Sequence, residues 1–251
     1  ANDAPDVFGV DAAASESGPQ ITIATSFFDP DANDSHTITF DASATTGVVS
    51  DNGDGTFSYD PAGQFESLSA GQTTTDSFTY TVTDSNGASG TASIVITITG
   101  ENDNPVANPI SAAAGEDDAT LLLTVDFSDV DANDNHTFSI DDSATTGLIA
   151  DNGDGTFSYS PNGQFEHLAA GETATDSFTY TVDDGQGGMA TAIASIVITG
   201  VNDAPGIQDT TVSFTEDDGP FDFSMGIADV DNTIADLMLF GAIPNGIDPI
   251  F

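Results

Sequence analysis

Apolar and polar positions alternate along most of this chain. In residues 77–83, Phe78, Tyr80 and Val82 point to one side and Thr79 and Thr81 to the other, the period of a half-buried strand. In residues 91–99, Ile94, Ile96 and Ile98 share a face in the same way. Short runs of β-branched and aromatic residues are separated by clusters of Gly, Asn, Asp and Ser, the signature of strands and turns. The pattern predicts strands at Asp6–Val10, Ile21–Thr25, Thr37–Phe40, Gly47–Ser50, Thr56–Tyr59, Ser77–Thr83 and Thr91–Thr99. A second set falls at Leu121–Val125, Phe138–Ile140, Gly147–Ala150, Thr156–Tyr159, Ser177–Val182 and Ala192–Thr199, and a third begins with Thr211–Thr215 and Phe221–Met225. The strongest helical signal is one short turn at Gln64–Ala70. About seven short strands per unit predicts an all-β fold, a two-sheet sandwich of immunoglobulin-like type.

The second set is a copy of the first. DNGDGTFSY fills 51–59 and 151–159, TDSFTYTV fills 75–82 and 175–182, and Asn-Asp-x-Pro recurs at 2–5, 102–105 and 202–205. A fixed period of 100 residues (102 − 2 = 202 − 102) means tandem units, each large enough to own a core. The expected domains are 1–100, 101–200 and a partial third copy at 201–251, so the chain is expected to be a piece of a longer protein.

Composition then changes the picture. The chain has no Lys or Arg against 42 Asp plus Glu, a formal net charge of −42. Like charge at this density opposes compaction, and a disordered acidic tail would be the simplest account. Against it stand 38% hydrophobic residues in strand-like order and acids at fixed places in each copy, mostly at the ends of apolar runs. Recurring carboxylate clusters call for a hard cation. Calcium, with six to eight oxygen ligands, fits best. The same charge excludes nucleic acid and direct contact with an anionic membrane, since no cationic side chain is there to meet a phosphate. With no Cys there is no disulfide or thiolate site, which leaves metal as a route to stability. No stretch approaches a transmembrane span.

Asp51–Gly55 fails as a calcium loop of the EF-hand kind, because ligand positions 3 and 5 are Gly53 and Gly55. It reads instead as a hairpin turn. Other acids keep the period: Asp29/Asp31, Asp129/Asp131 and Asp229/Asp231, then Glu16, Glu116 and Glu216, then Asp84 and Asp184 just after a long strand. An Asn-Asp-Asn-Pro linker, downstream Asp-x-Asp pairs and an upstream Glu resemble a cadherin-type domain junction. Residues 71–105 and 171–205 resemble the VCBS/cadherin-like tandem repeats of large secreted bacterial (RTX-type) adhesins.

The resemblance implies an extracellular string of β-sandwiches with calcium at the junctions. Its first junction would use Glu16, Asn102, Asp103 and Asn104 with Asp129, Asp131 and Asp184. Its second would use Glu116, Asn202, Asp203, Asp229 and Asp231. Asp29, Asp31 and Asp84 are the corresponding acids of the first copy. Ala204 stands where Asn104 stands, so the second junction is expected to bind more weakly. The cadherin Asp-Arg-Glu motif has no match, and Glu66/Glu166 and Asp76/Asp176 are both open as its substitute.

His36 and His136 precede a strand in each copy, and His167 replaces Ser67. With no Cys nucleophile, no nucleophile elbow and no cationic clamp, these do not add up to an enzyme. Two matches to the glycosylation sequon, at Asn33 and Asn135, are short enough to arise by chance. The expected function is a calcium-stiffened spacer of a giant bacterial surface adhesin, secreted and active in adhesion or biofilm. Its expected partners are neighbouring repeats of the same protein. Alternatives are a filament subunit completed by strand exchange with other copies, for which the irregular stretch 233–251 speaks, and a calcium-dependent glycan-binding module.

Overall fold

A computed structural model describes residues 2–31, 33–131, 133–207 and 227–231. The strands expected at Thr211–Thr215 and Phe221–Met225, the acid Glu216 and the stretch 233–251 lie outside the described residues. Among the described residues every regular element is a strand. The first copy contributes β1 (Asp6–Val7), β2 (Val10–Ser15), β3 (Ile21–Ala24), β4 (Phe27–Phe28), β5 (His36–Asp41), β6 (Val48–Asp51), β7 (Thr56–Asp60), β8 (Thr73–Asp84) and β9 (Ser89–Thr99). The second contributes β10 (Val106–Ala107), β11 (Ile110–Gly115), β12 (Leu121–Thr124), β13 (Phe127–Ser128), β14 (Thr137–Asp141), β15 (Leu148–Asp151), β16 (Thr156–Ser160), β17 (Thr173–Asp183) and β18 (Met189–Thr199). β19 (Gly206–Ile207) and β20 (Ile227–Ala228) open the third.

In the first copy a four-stranded sheet, β2-β9-β8-β5, faces a three-stranded sheet, β3-β7-β6. The alternation seen in the sequence supplies the core: Phe78, Tyr80 and Val82 from β8, Ile94, Ile96 and Ile98 from β9, and Ile23, Phe57 and Tyr59 from the opposite sheet. Phe57 meets Phe78 edge-on at 5.4 Å, a favoured aromatic geometry. The second copy repeats the two sheets as β11-β18-β17-β14 and β12-β16-β15. All four Tyr side chains are fully buried.

Three details depart from the expected elements. The strand expected at Asp6–Val10 is two strands. β1 pairs antiparallel with β4, and β2 pairs parallel with β9, Val10 opposite Ile94. The chain changes sheets at Phe8–Gly9, where the Tyr80 hydroxyl meets the carbonyls of Phe8 and Ser26, each at 2.7 Å. Second, β8 runs through Thr73–Asp84, longer than its apolar centre, because its polar ends also pair with β9. Third, Gln64–Ala70 is not a helical turn. It holds separate turns closed by the Gln64 amide on the Pro61 carbonyl and the Leu68 amide on the Phe65 carbonyl. The Asn52–Gly55 stretch is the expected tight turn, with Gly53 and Gly55 at φ of 76° and 87°.

The chain divides into two compact units, one of residues up to 107 with 127–137 and 181–191, the other of 108–126, 138–180 and the described residues from 192 onward. The first unit therefore contains the first linker and the loops of the second copy that pack beside it.

Candidate metal centre

Pairing of short strands assembles the acids. β2 runs parallel to β9 with Ser15 opposite Thr99, so Glu16 arrives beside the linker that follows β9. Its amide bonds the Thr99 carbonyl at 3.0 Å, and its Oε1 accepts the Glu101 amide at 2.6 Å. β10 pairs with β13, Val106 opposite Ser128, which brings the residues after Ser128 back to the linker. There Asp131 Oδ2 accepts the Asp103 amide at 2.8 Å, and the Asp131 amide bonds Asp129 Oδ1 at 3.0 Å. Asp184 follows β17 and opens the turn to β18. Its Oδ1 accepts the amides of Gln186, Gly187 and Gly188, and its Oδ2 accepts Asn102 Nδ2 at 2.9 Å.

Among the described residues, two groups of carboxylates result around this linker. Glu16, Asp103 and Asp131 each place an oxygen within 4.8 Å of the others, and so do Asp129, Asp134 and Asp184. Glu16 and Asp131 are only 2% exposed. Burial pushes the Glu16 carboxyl above its usual range against the Glu101 amide, and the charges of Glu66, Asp103 and Asp131 push further. Burial likewise raises Asp131 against the Asp103 amide, helped by Asp134, Asp103 and Asp129. Asp184 goes the other way. Its burial is outweighed by Asn102 and three backbone amides, which hold it below the usual range.

The first copy carries the same arrangement. Asp29, Asp34 and Asp84 form a group. Asp84 accepts Asn2 Nδ2 at 2.8 Å, Asp31 accepts the Asp3 amide at 2.7 Å, and Asp29 accepts the Asp31 amide at 2.8 Å. In the second unit, Glu116 accepts the Val201 amide at 2.7 Å and Asp231 accepts the Asp203 amide at 3.2 Å. Asp229 Oδ1 in turn accepts the Asp231 amide at 3.3 Å. Asn202 bonds its neighbour's carbonyl at Asp203. The carboxylates grouped here are Asp117, Glu166 and Asp203.

The residues fit a cation by a direct observation. Among the described residues, seven buried side-chain oxygens have no hydrogen-bond partner: Glu16 Oε2, Asn102 Oδ1, Asp103 Oδ2, Asp131 Oδ1, Asp134 Oδ2, Glu116 Oε2 and Asp203 Oδ2. Six of them belong to these acid groups or the linkers beside them, and Glu116 accepts the amide of Val201 at the start of the second linker. Orphaned buried acceptors are costly, and several carboxylates facing one another compound the cost. An all-oxygen donor set of carboxylates and amide carbonyls is one that calcium takes. Asn104 reaches the same place: a Cβ on Gly188 would lie 2.6 Å from Asn104 Oδ1 and 2.1 Å from Asp184 Oδ2. In the first copy the corresponding residues are Ala4 and Ala88, so the smaller linker residue goes with the larger loop residue.

Of the two substitutes for the missing cadherin motif, the structure brings Glu66 and Glu166 to the acids. Glu66 raises Glu16 by its charge, and Glu166 groups with Asp117 and Asp203. Asp76 instead closes the Thr46–Gly47 turn and accepts the Tyr59 hydroxyl at 2.7 Å, and Asp176 does the same with Tyr159. Sequence reasoning missed Asp34, Asp134 and Asp117. The signal for the first two was present, since the whole Asp-Ala-Asn-Asp segment recurs at 31–34 and 131–134.

The sequence profile of the bacterial cadherin-like domain matches residues 2–100 and 102–200. The chain belongs to this family. These bacterial cadherin-like domains also resemble solved cadherin repeats. Mouse cadherin-23 EC22–24 is 18% identical with a TM-score of 0.59, covering 93% of this chain and 80% of that one. Human CDH23 EC21–23 is 16% identical with a TM-score of 0.57, covering 92% and 81%. The protocadherin gamma B7 extracellular cadherin domains 1–4 are 19% identical with a TM-score of 0.50, covering 92% of this chain and 60% of that one. At such identity the likeness shows the fold. No curated protein matches the chain.

Proposed function

We propose that these bacterial cadherin-like domains are calcium-stiffened spacers of a large, secreted bacterial surface adhesin. Copies at 1–100 and 101–200 and a third beginning at 201 would be tied end to end, each linker being held to the next copy. The observation that carries the reading is the set of unpartnered buried carboxylate and amide oxygens on and beside the linkers. Glu16 and Glu66 come from one copy, Asn102, Asp103 and Asn104 from the linker, and Asp129, Asp131, Asp134 and Asp184 from the next copy. Glu116, Asp117, Glu166, Asn202, Asp203, Asp229 and Asp231 repeat this role at the following linker, and Asp29, Asp31, Asp34 and Asp84 at the preceding one. Calcium held there would join three segments that otherwise repel one another, and binding adds to stability by linkage. The role is mechanical: length from repetition, stiffness from metal. The four Tyr rings are buried and offer no stacking surface for a sugar.

Small-angle X-ray scattering across a calcium titration, with magnesium as control, tests this. A maximum dimension that grows and sharpens as calcium is added supports the spacer. A profile indifferent to calcium removes it, and particle mass that grows with protein concentration points to the filament instead.

A further inference from the structure

His36 and His136 have no part in the reading so far, yet each touches an acid group. His136 Nε2 lies 2.8 Å from Asp129 Oδ2, and His36 Nε2 lies 2.7 Å from Asp29 Oδ2. Each ring is held in turn by an aromatic neighbour: Phe127 at 4.7 Å and 52°, Phe27 at 4.9 Å and 57°. The two aspartates are 3% and 4% exposed, their histidines 14% and 18%. An ionised carboxylate can only accept, so Nε2 carries the proton and donates it. The other oxygen of each aspartate, Oδ1, accepts the amide two residues on, from Asp131 or Asp31.

We propose that His36 and His136 are positioning residues for the cation sites, acting through Asp29 and Asp129. This inference rests on the calcium reading above. Both oxygens of the aspartate are tied to the protein, one to backbone and one to imidazole, so its plane is set before a cation arrives. That matters because the partners in each group, Asp34 and Asp84 or Asp134 and Asp184, push the carboxylate away when no cation sits between them. In a chain without Lys, Arg or Trp, His is the one residue type that offers a ring N–H. Outer partners that orient metal ligands are worth 10- to 100-fold in affinity as a rule.

The test is calorimetric titration of calcium into the 251-residue chain and its variants His136→Ala and His136→Gln. The Gln amide nitrogen reaches the place of Nε2 and donates as it does. The expected result is a site weakened about 10- to 100-fold in His136→Ala and largely restored in His136→Gln, with both variants melting alike in chelator. Wild-type affinity in His136→Ala, or equal weakness in the two variants, overturns the positioning role while leaving calcium binding intact. A wild-type chain that takes up no calcium overturns the spacer reading and this one with it.

Discussion

Asp131→Asn should change sign with calcium. Asp131 is nearly fully buried and has one oxygen within 4.8 Å of oxygens from Glu16 and Asp103. At 4.8 Å two unit negative charges repel by roughly 0.9 kcal/mol in water-like surroundings and roughly 3.5 kcal/mol at the effective dielectric of a protein surface. Asparagine keeps an oxygen for the Asp103 amide and turns the orphaned Oδ1 into a donor facing carboxylates. Removing one of three charges should therefore stabilise the chelated protein by about 1–2 kcal/mol once solvent screening is allowed for. For a unit of about 100 residues that is an upward shift in Tm of about 5–10 °C. In calcium the order should reverse. A site at 100 times its Kd contributes about 2.7 kcal/mol, and the variant has lost a ligand and most of that gain. The assay is thermal unfolding by circular dichroism across a calcium series beginning in chelator. Curves of Tm against calcium that cross support the reasoning. A variant less stable than wild type in chelator, or one that gains as much from calcium, refutes it.

Asp76 should act independently of metal. Burial alone would raise its carboxyl, but the amides of Gly47, Thr46 and Ser77 and the Tyr59 hydroxyl outweigh burial and hold it below the usual range. A depressed folded value means its stabilisation is complete above the unfolded carboxyl range near 4 and is lost as pH falls through the folded value. Asp76→Asn should cost about 1.5–3 kcal/mol at neutral pH, the worth of hydrogen bonds to a charged group, equally with and without calcium. Denaturant melts in chelator should show the gap closing below about pH 4, and a gap constant with pH rules this out. Gly188→Ala should weaken calcium binding in titration calorimetry, because its Cβ would displace Asp184 Oδ2 and Asn104 Oδ1. Adding Asn104→Ala, the pair found in the first copy, should remove the crowding against Asn104 and recover part of the chelated stability. No recovery in the double variant would show that Asp184 rather than Asn104 sets the limit at this position.

The sequence by itself determined the sandwich and its copies. Strict alternation at Phe78–Val82 and Ile94–Ile98 leaves one way to bury the apolar face, and a period of 100 residues repeats it. It also marked the acids, which recur at fixed places in each copy. What the pattern left open depends on contacts far apart in the chain. Val10–Ser15 is too rich in alanine to announce a strand, and parallel pairing with β9 makes it one, which is also what delivers Glu16 to a linker 85 residues away. Glu66 and Asp76 look equally eligible in the sequence, but their surroundings separate them. One lies among like charges, and the other is wrapped in amides and a tyrosine hydroxyl. His36 and His136 carry no local sign of their role. Only the fold, by packing each ring against a phenylalanine and its Nε2 against an aspartate, assigns it. Local periodicity fixes which side of a strand a residue faces, and strand pairing decides which distant residues it meets there.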